Sequence, residues 1–183
     1  NTNGQIRENM LKVWPHMQIA NPQVKPQILF SQTKSVDLTK ATERNALIRE
    51  ITAYKPDLVY LGTVYQLAPS PVHDDVFFAV KNTVDAVRHE IGSAFLVEHH
   101  AGHDKDGNGV RDSRPYGTSM WRRWPNFGIG LVPDTQGTER LALMQRWRGD
   151  RSRGRQIPLA LREGKSLPWL PVYEDELEVL QSA

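Results

Sequence analysis

The chain has 183 residues, 39% of them hydrophobic and 24% charged, with a formal net charge of +2 and no cysteine. That is the composition of one ordinary globular domain able to bury a sizeable core, and it excludes a disulfide framework and thiolate chemistry. No apolar run approaches the roughly 20 residues that span a bilayer and no signal peptide opens the sequence, so a soluble cytoplasmic protein is expected.

Asn1 to Gln18 has the pattern of a helix, capped by Thr2 or Asn3, with Ile6, Met10, Val13 and Met17 at spacings of three and four. Pro15 ends or kinks it near Trp14. The helix-like start and the opening Asn1 suggest a fragment. Asn21-Pro22 and Lys25-Pro26 mark a loop, and Gln27 to Ser31 reads as a short strand. Thr39 is the predicted cap of a second helix whose apolar face is Leu47, Ile51 and Tyr54, stopped by Lys55-Pro56. Leu58 to Val64 is a strand and Gln66 to Asp75 a loop. Val76, Val80, Val84, Val87 and Ile91 form the stripe of a long helix with Gly92 as its C-terminal cap. Ala94 to Val97 is the next strand, and Gly102 to Tyr116 is a polar, mobile loop. Gly117 to Trp124 forms a short helix cut off by Pro125. Strands follow at Phe127 to Val132, Arg140 to Trp147, Ile157 to Leu161 and Trp169 to Tyr173, the first two joined by a turn from Pro133-Asp134 to Gly137.

Strand, crossover helix and strand from Leu58 to Val97 make a βαβ unit with parallel strands. Ligands bind such sheets beyond the carboxyl ends of the strands, which directs attention to Gly62 to Gln66 and His99 to His103. Charge is uneven: Arg146, Arg148, Arg151, Arg153 and Arg155 cluster, and Glu174, Asp175, Glu176 and Glu178 crowd the C-terminus.

In their order, Pro56 to Leu67, His99-His100-Ala101-Gly102-His103, Gly117-Thr118-Ser119 and Arg146-Trp147-Arg148-Gly149 resemble the later half of a RecA-type P-loop ATPase. The likeness is to the RepA-like and DnaB-like hexameric helicases, particularly the AAA-family ATPases of phages and plasmids. Asn1 to Arg7 looks like the start of the family's helix after its second strand. The resemblance implies an α/β fold, with a RecA-like, mainly parallel sheet flanked by helices and β-hairpins in the C-terminal third. It implies a single domain over 1–183, the C-terminal portion of an ATPase core, with 161–183 a partly extended acidic tail. A phosphate-cradling G-x-x-x-x-G-K-[ST] loop occurs nowhere in the sequence; in the family it precedes the segment matching Asn1, as does the catalytic glutamate. At the Walker B position stands Gly62, where many members place an aspartate that helps hold Mg²⁺. Either other groups hold Mg²⁺ through water, or this branch is catalytically weakened.

Carried over residue by residue, the resemblance makes His100 the sensor of the γ-phosphate, with Gly62, Thr63 and His103 beside bound ATP. Lys105, Arg111 and Arg114 fall in a loop that faces DNA in the family's central pore. Arg146 and Arg148, spaced by two on one strand face, match its K-x-R pattern, from which an arginine finger reaches the ATP of a neighbouring subunit. Each has a plainer reading: a satisfied histidine at a sheet edge, or a solvated basic strand. His99, His100 and His103 with Asp104, Asp106 and Asp112 also admit a metal site, though adjacent strand residues point to opposite faces. Asp104 to Gly109 copies half of a Ca²⁺ loop, but Pro115 stands where the bidentate glutamate belongs. Trp121-Arg122-Arg123-Trp124 interleaves rings and cations as single-strand binders do, yet the i,i+3 tryptophans favour core packing.

The expectation is therefore part of an ATP- and Mg²⁺-dependent helicase that moves along single-stranded DNA as a homo-oligomeric, hexameric ring, the segment alone being inactive. The alternatives are a non-catalytic nucleic-acid-binding or assembly module with a degenerate ATPase site, and a metal-dependent hydrolase built on the histidines.

Overall fold

The computed structural model describes residues 36–68, 73–102, 113–133, 141–149, 158–164 and 169–173, with 8, 11, 12, 15, 22, 23, 27 and 28. The predicted N-terminal helix and the strand at Gln27 to Ser31 lie largely outside them. The chain divides into two compact units, one of Thr33–Gly130 with Arg146–Arg153, the other of Asn1–Gln32, Leu131–Gln145 and Gly154–Ala183.

The first unit is built on a long helix between two short strands. Helix α1 (Ala41–Tyr54) leads into strand β1 (Leu58–Leu61), helix α2 (Asp74–Ile91) and strand β2 (Ala94–Val97). Asp74 and Asp75 open α2 and Arg88 and His89 close it, each sign placed where the helix dipole favours it. Gly92 stops the helix at φ 74°, its amide bonded to the Arg88 carbonyl at 3.0 Å; only glycine takes that turn without steric cost. Val76, Val80, Val84 and Val87 are buried as the stripe requires, each stabilising the fold by about 1.5–3 kcal/mol. Val76, Val80 and Val84 pack with Phe77, Leu38, Leu61, Val64, Leu67 and Trp121 into one core, against which Leu47 of α1 and Val59, Phe95 and Val97 of the strands also lie.

α1 does stop at Lys55-Pro56, with Lys55 in the left-handed region at φ 52°. Its start differs from expectation. Lys40 is the N-cap and caps nothing with its side chain, because Thr39 is engaged upstream. Its hydroxyl and amide both donate to Asp37 Oδ1, at 2.5 and 3.1 Å, while Glu43 reaches back to the Asp37 amide at 2.7 Å.

β1 and β2 pair in parallel, Leu58 with Ala94 through Leu61 with Val97. β1 ends at Leu61, short of the predicted Val64, because the amide of Val64 turns to the Glu98 carbonyl (3.0 Å) and a 3₁₀ turn (Val64–Gln66) follows. Helix α3 (Met120–Arg123) is a single turn. Strands β3 (Gly128–Pro133), β4 (Leu141–Arg148), β5 (Ala160–Glu163) and β6 (Trp169–Val172) form a separate antiparallel sheet in that order. β4 pairs Leu141 with Arg162, and β5 pairs Ala160 with Val172. Ala160, Val172 and Leu143 make a small second core.

These sheets overturn the expected fold. In place of a RecA-like parallel sheet flanked by helices, the described residues hold a two-stranded parallel sheet and a four-stranded antiparallel one. The physical reason lies in β1 and β2. Strands of a RecA-like core are covered on both faces, whereas here α1 and α2 pack into the same core and the outer residues Leu58, Tyr60 and Leu96 stay 57–59% exposed. Among the described residues no helix is long and apolar enough to cross a membrane.

Candidate nucleic-acid interface

Two places gather polar and basic side chains, both in the first unit. The first is the carboxyl edge of β1 and β2. Gly62 and Thr63 leave β1 there, half-buried. His99 and His100 leave β2 in different directions. The His99 ring is half-buried, 5.0 Å from Trp121, with Tyr65 at 6.3 Å. Its Nδ1 lies 2.8 Å from the His100 carbonyl, which can only accept, so Nδ1 carries the proton and Nε2 is left as an acceptor. Nε2 is buried without a hydrogen-bond partner, as is the indole nitrogen of Trp121. Burial holds the His99 pKa below its ordinary value, the bond to the carbonyl opposing it. His99 is thus a neutral imidazole in a cluster with Trp121, Phe77 and Trp124.

His100 is exposed and meets Tyr65 edge-on at 5.1 Å. Its carbonyl also accepts the Tyr116 amide (3.0 Å), and Ala101 bridges Pro115, so the chain on both sides of the polar loop is pinned to this edge. On the sheet's outer face the Tyr60 hydroxyl donates to the Glu98 carboxylate. Lost hydration first, then that bond and charge, push the Tyr60 pKa up to about 12.

Gly62 has no side-chain oxygen, and the Glu98 carboxylate near this edge accepts a hydrogen bond from Tyr60. His103, Lys105 and Arg111 lie outside the described residues, as do Asp104, Asp106 and Asp112. No group of three metal-ligating side chains occurs among the described residues.

The second place surrounds the start of β3. Thr118 seeds α3, its carbonyl accepting the Trp121 amide at 3.2 Å and its hydroxyl the Met120 amide at 3.3 Å. Trp121 is 3% exposed and Trp124 packs against the same core, so the tryptophans of the Trp-Arg-Arg-Trp run are structural, as their spacing suggested. Arg123 is exposed beside them and Arg122 partly so. The Nε of Arg148 donates to the carbonyl of Pro125, which fixes the guanidinium against the segment that follows Arg122-Arg123. Gly149, at φ 120°, gives way to the Phe127 ring, where any Cβ would collide with it. Phe127 itself is 45% exposed.

β3 places a fourth cation in the same region. A Cβ at Gly128 would overlap the six-membered ring of Trp147, and one at Gly130 would overlap Ser113. These close approaches bring Trp147-Arg148 and Ser113-Arg114 to neighbouring positions along β3. Arg114 is exposed. Arg146 lies on β4, and its side chain is outside the described residues. Sequence reasoning picked out Arg148 and Arg114 but missed Phe127 and the Pro125 carbonyl, which only the close packing at Gly149 and Gly128 could reveal.

No protein-family model matches the chain, and no curated protein matches it in sequence.

Proposed function

We propose that this chain is a non-catalytic module that binds single-stranded nucleic acid through Arg114, Arg122, Arg123 and Arg148, with Phe127 as a stacking surface. The observation that carries the reading is the Arg148–Pro125 bond. It fastens a strand-borne guanidinium to the segment that directly follows Arg122-Arg123 in the helix, and the exposed ring of Phe127 lies against the adjoining Gly149. Cations that follow a phosphate backbone, with a ring on which a base can stack, are the working parts of sequence-tolerant single-strand binding. ATP and Mg²⁺ form no part of this reading, because the RecA-like sheet on which their site was expected is not the sheet found.

The test is fluorescence anisotropy of a labelled single-stranded oligonucleotide titrated with the chain across a range of salt. Binding should weaken linearly on a log–log plot against salt, and each phosphate-contacting arginine lost should flatten the slope by about 0.7. Arg123→Ala and Arg148→Ala should both flatten it, and Phe127→Ala should weaken binding with the slope unchanged. Equal affinity in all four proteins rejects the interface.

A further inference from the structure

We infer that the outer face of the β1–β2 sheet, Leu58, Tyr60 and Leu96 around the Glu98 carboxylate, docks an amphipathic helix of a partner protein that carries a lysine or arginine beside its apolar stripe. The inference stands apart from nucleic-acid binding and uses other residues.

Three observations lead to it. Leu58, Tyr60 and Leu96 are 59%, 57% and 57% exposed, and the register sets Tyr60 directly opposite Leu96 and Leu58 opposite Ala94. The period of two puts all of them on one face, so they form one contiguous apolar surface. Large side chains in such a group are a docking signal where scattered ones are not. Second, the strands are parallel, and parallel sheets are covered on both faces by helices. The other face packs into the helical core; this one is apolar and exposed.

The third observation selects the occupant. Glu98 is exposed and on this same face, where the Tyr60 hydroxyl donates to its carboxylate. Against a second copy of the chain, a two-fold pairing of the face would bury two Glu98 carboxylates in one drying interface to which Leu58, Tyr60 and Leu96 bring no cation, which is costly. Against single-stranded nucleic acid, the carboxylate repels the phosphates that would accompany a base stacked on Tyr60. A helix with one cation flanking its stripe satisfies both the apolar surface and the charge.

The test uses the full chain, isotopically labelled for NMR, and two synthetic helical peptides of about 15 residues with the same leucine stripe. One peptide carries lysines beside the stripe and the other glutamates. The lysine peptide should shift the resonances of Leu58, Tyr60 and Leu96 and bind roughly tenfold more tightly, a lost attraction and an added repulsion together. Glu98→Gln should erase that preference, and Leu96→Ser should abolish binding of both peptides. Leu96 is exposed, so an unchanged melting temperature confirms that Leu96→Ser still folds. The inference is overturned by equal affinity for the two peptides, or by shifts confined to other residues. It is also overturned if an oligonucleotide shifts this face, or if sedimentation shows a dimer that Leu96→Ser converts to monomer.

Discussion

Tyr60 and Glu98 are joined diagonally across two parallel strands: the residue opposite Tyr60 is Leu96, and Glu98 lies two positions further on. The phenol keeps its proton because burial strips its hydration and because the carboxylate accepts its hydrogen bond and repels a second negative charge.

A spectrophotometric titration should therefore find Tyr60 ionising near pH 12. A folded-state pKa raised above the unfolded value of about 10 contributes stability that is whole below pH 10 and is lost as pH climbs toward 12. Glu98→Gln should bring the ionisation back toward the ordinary value. A mutant titrating where the wild type does would show that Glu98 has no part in the shift.

His99 titrates the opposite way. Its pKa is depressed by burial, so its neutral form favours the fold above about pH 6.5, and that contribution fades as pH falls through the folded pKa. Histidine NMR should show His99 as the Nδ1-protonated tautomer, titrating below the ordinary histidine range. Thermal melts of His99→Phe should depend less on pH between about 5 and 7 than those of the wild type.

Trp121 holds the aromatic centre of the core, with Phe77 at 4.9 Å and His99 at 5.0 Å. Trp121→Ala should cost about 3–5 kcal/mol in denaturant unfolding. Trp121→Phe keeps a ring and deletes an N–H that has no hydrogen-bond partner, so its cost should be markedly smaller. Similar losses in the two variants would point to a hidden acceptor for the indole.

Gly128→Ala should destabilise by about 1–3 kcal/mol, the usual penalty for overfilling a packed site. The Trp147 ring lies where the new methyl would go, so the variant's Trp fluorescence should report a more solvated indole. An unchanged spectrum with unchanged stability would mean that β3 and β4 are not locked at this pair.

The sequence announced the long helix well. Four valines at regular spacing and a glycine after them leave few ways to fold, and the structure follows both signals, though the helix opens at Asp74, inside the loop expected to run to Asp75. The parallel pairing of its flanking strands was equally legible. What misled was Leu58-Val59-Tyr60-Leu61, a run apolar at every position. Such a run reads as a strand buried on both sides, the mark of a larger sheet, yet Leu58 and Tyr60 face outward. Composition cannot tell a covered apolar face from a bare one. Thr39 misled in another way, since Asp37 competes for its hydroxyl and wins. The candidate arginines were visible as letters, but the packing that brings their chain segments together was not. It depends on Gly128 and Gly149, whose missing side chains admit rings from residues far along the chain, and no periodicity records such a contact.

Leu58 and Ala94 are hydrogen-bond neighbours separated by the whole of α2. A two-stranded parallel ladder has no local turn to nucleate it, and its closure entropy is met only when α2 shortens the span and lays its valines across both strands. Helix and ladder therefore appear and disappear together. The amides of Val64 and Glu98, which cross-bond the two strand ends at 3.0 Å, should exchange their hydrogens at the pace of the α2 interior, behaving as part of the helix although neither lies in it.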